Sequence, residues 1–139
     1  MLPTPAEKTL LRFQNFQKAF ERLQDAVKIP TLNTLEQAGF VQTFAFTFEL
    51  AWKTLKDYLA FQLIEVSYPR DVIKEAAQLQ LISDGAMWLE ALESRNIMAH
   101  TYDQEVSQEI MTRIREHYIP LLEDFFTTME KKTTDITLL

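Results

Sequence analysis

The chain has 139 residues, 47% of them hydrophobic, and carries 20 acidic side chains against 14 Lys and Arg, for a formal net charge of −6. One domain of that size buries a sizeable core, while the negative bulk excludes indiscriminate nucleic-acid binding, which draws its affinity from Lys and Arg displacing counterions on phosphates. The absence of cysteine excludes disulfides and thiolate metal sites.

Two glycines and five prolines leave few tight turns, and Leu, Ala, Glu, Gln and Lys dominate between them, so the composition favours an all-α fold. No stretch approaches the roughly 18 to 20 uninterrupted apolar residues of a membrane span. With no basic-then-apolar leader at the N-terminus, a cytoplasmic protein without membrane contact is expected.

A first helix begins after "PTPAE" and aligns Phe13, Phe16, Phe20, Leu23 and Val27 at spacings of three and four, ending before Pro30. A second runs from Asn33 or Thr34 to Leu63, with Phe40, Phe44, Phe48, Trp52, Leu55, Leu59 and Leu63 as an unbroken ridge. Val41, Ala45 and Ala51 widen its stripe, as in a central bundle helix flanked on two sides. Pro69 opens a short helix with Val72, Ile73 and Ala76 on its apolar face. Ser83 or Asp84 caps a fourth, which carries Trp88 and Leu92. The last starts at Asp103 or Gln104 and aligns Val106, Ile110, Ile114, Tyr118, Leu121, Phe125 and Met129. Pro120 has no N–H for the carbonyl of Glu116, so a bend is expected there. These elements predict a single domain over residues 1–139, an antiparallel up-and-down four-helix bundle with an additional short helix, and a polar tail over 130–139 that frays. At helical spacing the aromatic stripes read as core.

Residues 94–103, "SRNIMAHTYD", gather most of the reactive side chains. Arg95 and Tyr102 share the stripe of Trp88, Leu92 and Met98. An arginine there needs a carboxylate or anion if buried, because an unpaired buried charge costs several kcal/mol; alternatively its stem packs and its head reaches solvent. Asn96, His100 and Asp103 fall at i, i+4 and i+7 on the adjacent face if the helix stays regular, which lets Asn96 hold one tautomer of the imidazole. Arg95 and His100 lie about 140° apart on a straight helix, so they converge only if the Arg side chain wraps, the helix ends between them, or two copies meet. On the second helix, Glu49, Lys53 and Asp57 form i, i+4 pairs that read first as a solvated face. His117 reads as structural or surface, and no His and carboxylate set has metal-ligand spacing.

The run Arg95, Asn96, His100, Tyr102 resembles the signature of HEPN domains: an Arg followed by a polar residue, a His five positions after the Arg, and in one large subgroup a Tyr two positions later. "FAFTFELAWKTLKDYL" (44–59), "YPRDVIKEAAQLQLI" (68–82), "DGAMWLEALESRNIMAHTYD" (84–103) and the following helix resemble the bacterial and archaeal nucleotidyltransferase substrate-binding proteins. That family is similar to a HEPN bundle encoded beside a minimal nucleotidyltransferase, and the likeness covers roughly residues 10 to 125.

The resemblance implies a homodimeric helical bundle in complex with a small nucleotidyltransferase. In related toxin–antitoxin pairs the HEPN member is a metal-independent ribonuclease, silenced when the nucleotidyltransferase attaches AMP to the motif tyrosine, here Tyr102. Arg95 and His100 are then the catalytic pair, with Asn96, Tyr102, Asp103 and Lys53 supporting it or binding substrate. No metal or other cofactor is expected, and the substrate is RNA or a nucleotide rather than DNA. The family name carries an alternative, a non-catalytic subunit that presents substrate to the nucleotidyltransferase, and a plain dimeric scaffold is a third reading.

Overall fold

The computed structural model describes residues 1–100 and 103–139, and every ordered element among them is helical. Helix α1 spans Pro5–Val27, α2 Thr34–Phe61, α3 Pro69–Gln78, α4 Gly85–Met98, α5 Gln104–Arg113 and α6 Ile119–Thr137. A π-helical turn over Ile114–Tyr118 joins α5 to α6 without a break, so the two form one rod. No described helix is long and apolar enough to cross a membrane.

Capping boxes start the first two helices. Thr4 and Asn33 accept from the backbone N–H groups of Glu7 and Glu36, whose carboxylates reach back to the capping residues. Helix α1 then lays Phe13, Phe16, Phe20 and Leu23 against the core, where Phe16 meets Phe125 of α6 edge-on at 4.8 Å between ring centroids. Two arginines tie its ends. Arg12 Nε donates to Asp57 of α2 at 3.1 Å, and Arg115 donates to the carbonyl of Val27 at 2.8 Å, with its guanidinium over the Phe40 ring.

Helix α2 buries Phe40, Phe44, Phe48, Trp52, Leu55 and Leu59, as its sequence ridge predicts. Leu63 departs from that ridge: α2 stops at Phe61, and Leu63 takes a left-handed backbone (φ 66°) with its side chain in solvent. The N–H of Ile64 turns back to the carbonyl of Leu59, the bond that closes such a helix end. Gln80 (φ 61°) ends α3 in the same manner, and Leu81 bonds to Ala76. The chain then enters α4 so close to α3 that a Cβ on Gly85 would lie 2.9 Å from Ala77 Cβ. Asp84 caps α4 by accepting from Met87 N–H.

Pro120 leaves one helical acceptor without its donor, and the rod meets that defect with the π turn just before it, closed by Ile119 N–H on the carbonyl of Ile114. The tail expected to fray does not. Helix α6 continues to Thr137 with Thr133 and Ile136 buried, because Met129, Thr133 and Ile136 prolong the apolar stripe at spacings of four and three. The threonine hydroxyls bond to carbonyls one turn back, which makes these polar residues acceptable within the helix.

A left-handed leucine costs roughly 1 kcal/mol that a glycine does not, and Leu63 returns little in burial. Leu63→Gly is therefore expected to raise stability in urea denaturation by about 1 kcal/mol. No gain over wild type would refute strain at this turn.

Candidate functional site

The residues of the "SRNIMAHTYD" segment lie where α4 ends. Ser94 is buried, Arg95 is half-buried, and Asn96 and His100 are exposed. Helix α4 stops at Met98, and His100 N–H bonds to the carbonyl of Ile97 in a tight turn. Asp103 caps α5 by accepting from Val106 N–H at 3.0 Å. The single regular row of Asn96, His100 and Asp103 expected from the sequence is thus divided between the end of one helix and the start of the next. Tyr102 lies outside the described residues.

Arg95 finds the carboxylate that its position demands. Its Nη2 is 3.0 Å from Glu49 Oε2, and the same carboxylate accepts from Trp52 Nε1 at 2.9 Å and pairs with Lys53 Nζ at 3.3 Å. The spacing of "FELAWK" explains the convergence: Glu49, Trp52 and Lys53 stand at i, i+3 and i+4, on one face of α2. One carboxylate thus faces both an arginine and a lysine. Arg95 Nη1 also donates to Asn96 Oδ1 at 3.2 Å. The guanidinium is held from two sides while about a third of its side chain stays accessible. A planar fork fixed in this way suits the oxygens of a phosphate.

Arg95 lines a groove of about 600 Å³ together with Val41 and Ala45 of α2, Met98 of α4, and Gln104 and Ser107 of α5. Val41 and Ala45 are the second apolar line expected to meet a neighbour. Beside this half of α2 no described helix fills that place, and the line becomes the groove wall.

A polar network that no sequence spacing announced braces the same segment from behind. The Tyr118 hydroxyl lies 2.6 Å from Ser94 Oγ and donates to Glu90 Oε2 at 2.7 Å. Arg113 clasps both oxygens of Glu90 at 2.6 Å. The Arg113 hydrogen bond, followed by that from Tyr118, holds the Glu90 carboxyl below its ordinary value of 4.5. Burial, chiefly, pushes the Tyr118 phenol up. The four members of the network come from α4, α5 and the π turn, which is why a linear pattern hides them. His117 lies on the π turn with Nε2 3.9 Å from Glu116. Among the described residues no three His, Asp or Glu side chains gather closely enough to hold a metal ion.

An all-helical protein with a half-open, arginine-bearing patch at the end of one helix is the class that fold and site define. The particular family follows from comparison. The family described as "Nucleotidyltransferase substrate binding protein like" matches residues 11–131, and the chain belongs to it. A protein of Haemophilus influenzae named "Probable ribonuclease HepT" is 34% identical over 87 residues, which take in 59% of this chain and 60% of that relative. A crystal structure of a Thermus thermophilus protein superposes with a TM-score of 0.69 at 26% identity, over 87% of this chain and 98% of the other. The family expected from the sequence blocks is the one that matches.

The depressed Glu90 pKa carries a sign. A carboxyl whose folded pKa lies below its unfolded value contributes stability above the unfolded value and loses it as pH falls through the folded one. Glu90→Gln is accordingly expected to be less stable than wild type at pH 7, with the difference closing as the pH drops below 4.5. Thermal melts across that range check it, and a difference that persists undiminished at low pH contradicts the assignment.

Proposed function

We propose that this protein is the HEPN-type partner subunit of a minimal nucleotidyltransferase and that, as a homodimer, it cleaves RNA by a metal-independent route through Arg95 and His100. The observation that carries the proposal is Arg95 itself, held by Glu49 and Asn96 at the mouth of a groove and followed by an exposed histidine in the next turn.

In that chemistry one His100 takes the proton of a ribose 2′-hydroxyl, and O2′ attacks the adjacent phosphorus. The bond from phosphorus to the 5′-oxygen breaks, and the leaving oxygen takes a proton from the second copy's histidine. The products are a 2′,3′-cyclic phosphate and a 5′-hydroxyl. General acid–base catalysis of this kind contributes about 10² to 10⁴ in rate. Arg95 stabilises the charge that grows on the phosphate oxygens by roughly 3 to 4 kcal/mol. DNA lacks the attacking hydroxyl and is not cut. Asn96 and Lys53 orient Arg95 and the phosphate, Asp103 fixes the start of α5 beside the site, and Tyr102 contacts RNA. The nucleotidyltransferase silences the subunit by transferring AMP from ATP to the Tyr102 oxygen, with release of pyrophosphate.

One observation favours a second reading, a non-catalytic subunit that holds substrate for the nucleotidyltransferase. Glu49 already occupies one edge of Arg95, an arrangement that suits reversible binding of a phosphate as well as cleavage.

Purified protein incubated with RNA in the presence of chelator is expected to cut it, with His100→Ala and Arg95→Ala each at least about 100-fold slower. Equal cleavage by the variants, or none by wild type, favours the substrate-binding subunit. With the partner nucleotidyltransferase and radiolabelled ATP, wild type is expected to take up label and Tyr102→Phe to stay unlabelled; labelling of the variant refutes the tyrosine assignment.

A further inference from the structure

We infer that the groove beside Arg95 is a nucleobase pocket, in which Gln104, aligned by Gln37, binds the base whose phosphate Arg95 holds; the inference rests on the proposal that this site takes RNA or a nucleotide. Its volume of about 600 Å³ falls in the range of roughly 300 to 1,000 Å³ usual for small-ligand sites.

Its chemistry is more telling than its size. The chain carries 20 acidic residues and a net charge of −6, yet among the described residues Arg95 is the one charged side chain on the groove wall. The rest of the lining is aliphatic, as at Val41, Ala45 and Met98, or neutral and hydrogen-bonding, as at Gln37, Gln104 and Ser107. A single cation in an otherwise uncharged, amide-bearing groove matches a ligand with one anionic group and a flat, neutral, hydrogen-bonding body. A nucleobase with its phosphate has that form. An extended acidic peptide would meet one positive charge only, and a purely apolar segment would strip the amides of water without replacing their hydrogen bonds.

The amides are placed in advance. Gln37 Nε2 donates to the carbonyl of Leu32 at 3.1 Å, and its Oε1 accepts from Gln104 Nε2 at 2.9 Å. The Gln37 amide is therefore held at both ends, and it aligns Gln104 in turn. Gln104 Oε1 has no hydrogen-bond partner among the described residues, so the second amide keeps an acceptor beside its remaining N–H. An adjacent donor and acceptor on one planar group pair with the N6 and N7 edge of adenine. The N3–H and O4 edge of uracil meets the same pair equally well, so the amide distinguishes a base-bearing ligand from a bare sugar phosphate and not one base from another.

Calorimetric titration of the full chain with adenosine 3′-monophosphate and with ribose 3-phosphate, which lacks the base, tests the inference. The nucleotide is expected to bind at least about fivefold more tightly than the sugar phosphate, the low end for one bidentate amide contact. Gln104→Ala and Gln37→Ala are expected to bring the two affinities together, whereas Arg95→Ala weakens both by the same factor and keeps the preference. Equal binding by wild type, or a preference that survives in both glutamine variants, overturns the pocket. So does a groove that takes no nucleotide and is covered by a second copy, seen when Val41→Arg converts a dimer to monomer in sedimentation. Preference for the base-bearing ligand without RNA cleavage sinks the ribonuclease proposal and leaves the pocket standing. Cleavage without base preference does the reverse.

Discussion

Phe44 and Phe48 on α2 each meet a ring from another helix, and these two contacts set where the rest of the molecule lies. Phe44 stacks on Tyr118 at 5.4 Å between centroids, and Phe48 packs on Trp88 at 5.5 Å. Trp88 in turn meets Phe125, whose ring reaches the Phe16 of α1. All of these rings are at least 99% buried, and each contributes roughly 1.5 to 3 kcal/mol by leaving water. Through them α4 and the long rod are docked on α2 at one angle and depth. Arg95 follows Trp88 by two helical turns, so it arrives opposite Glu49, which precedes the next ring of the α2 ridge. The ion pair is a consequence of the aromatic packing. A surface pair formed between unbraced helices would contribute little, whereas here the backbone geometry is fixed before the charges meet.

The Tyr118 hydroxyl couples that core to the motif. One face of the ring is core, and its oxygen joins Ser94 to Glu90 and Arg113. Ser94 is the residue before Arg95, so the rotation of the last turn of α4 is settled by a hydrogen bond as well as by packing. Glu49 and Asn96 then choose the direction of the guanidinium. Each constraint acts at shorter range than the one before, and the arginine is ordered while its outer edge remains open to solvent.

Periodicity makes most of this legible. The ridge from Phe40 to Leu59, the helix starts at Asn33 and Asp84, and the stripes of α1 and the rod all follow from local spacing, and local spacing decides helices. It misplaces Leu63, because the ridge continues numerically past the point where Gln62 and Leu63 turn the chain. The polarity of the tail misleads in the same way, since "EKKTTDITLL" looks solvated until Thr133 and Ile136 are read as continuing the Met129 stripe. The demand for a carboxylate near Arg95 is readable from its place on an apolar face, and "FELAWK" is readable as a motif. Their meeting is not, because it depends on how two helices cross. The network of Glu90, Ser94, Arg113 and Tyr118 leaves no trace in spacing at all. The division of "SRNIMAHTYD" between two helices is equally hidden, since no proline or glycine marks the break after Met98.

The π turn gives the rod a property that a plain α-helix of the same sequence would lack. Val106, Ile110, Ile114 and Tyr118 follow one another at strict intervals of four, and on an ideal α-helix each such step drifts about 40° around the axis. Over that run the apolar line would swing away from α2 and carry Tyr118 off the Phe44 ring. Widening one turn absorbs the surplus rotation, as a leap day absorbs the surplus of a calendar, and α6 resumes in phase with the core. The residue that gains most is Tyr118, at the end of the widened turn. Insertion of a further residue between Ile114 and Tyr118, with no second turn widened to absorb it, would leave both halves of the rod helical yet rotate them out of register with each other, so the length of this segment is as tightly bound to the site as the identity of any side chain in it.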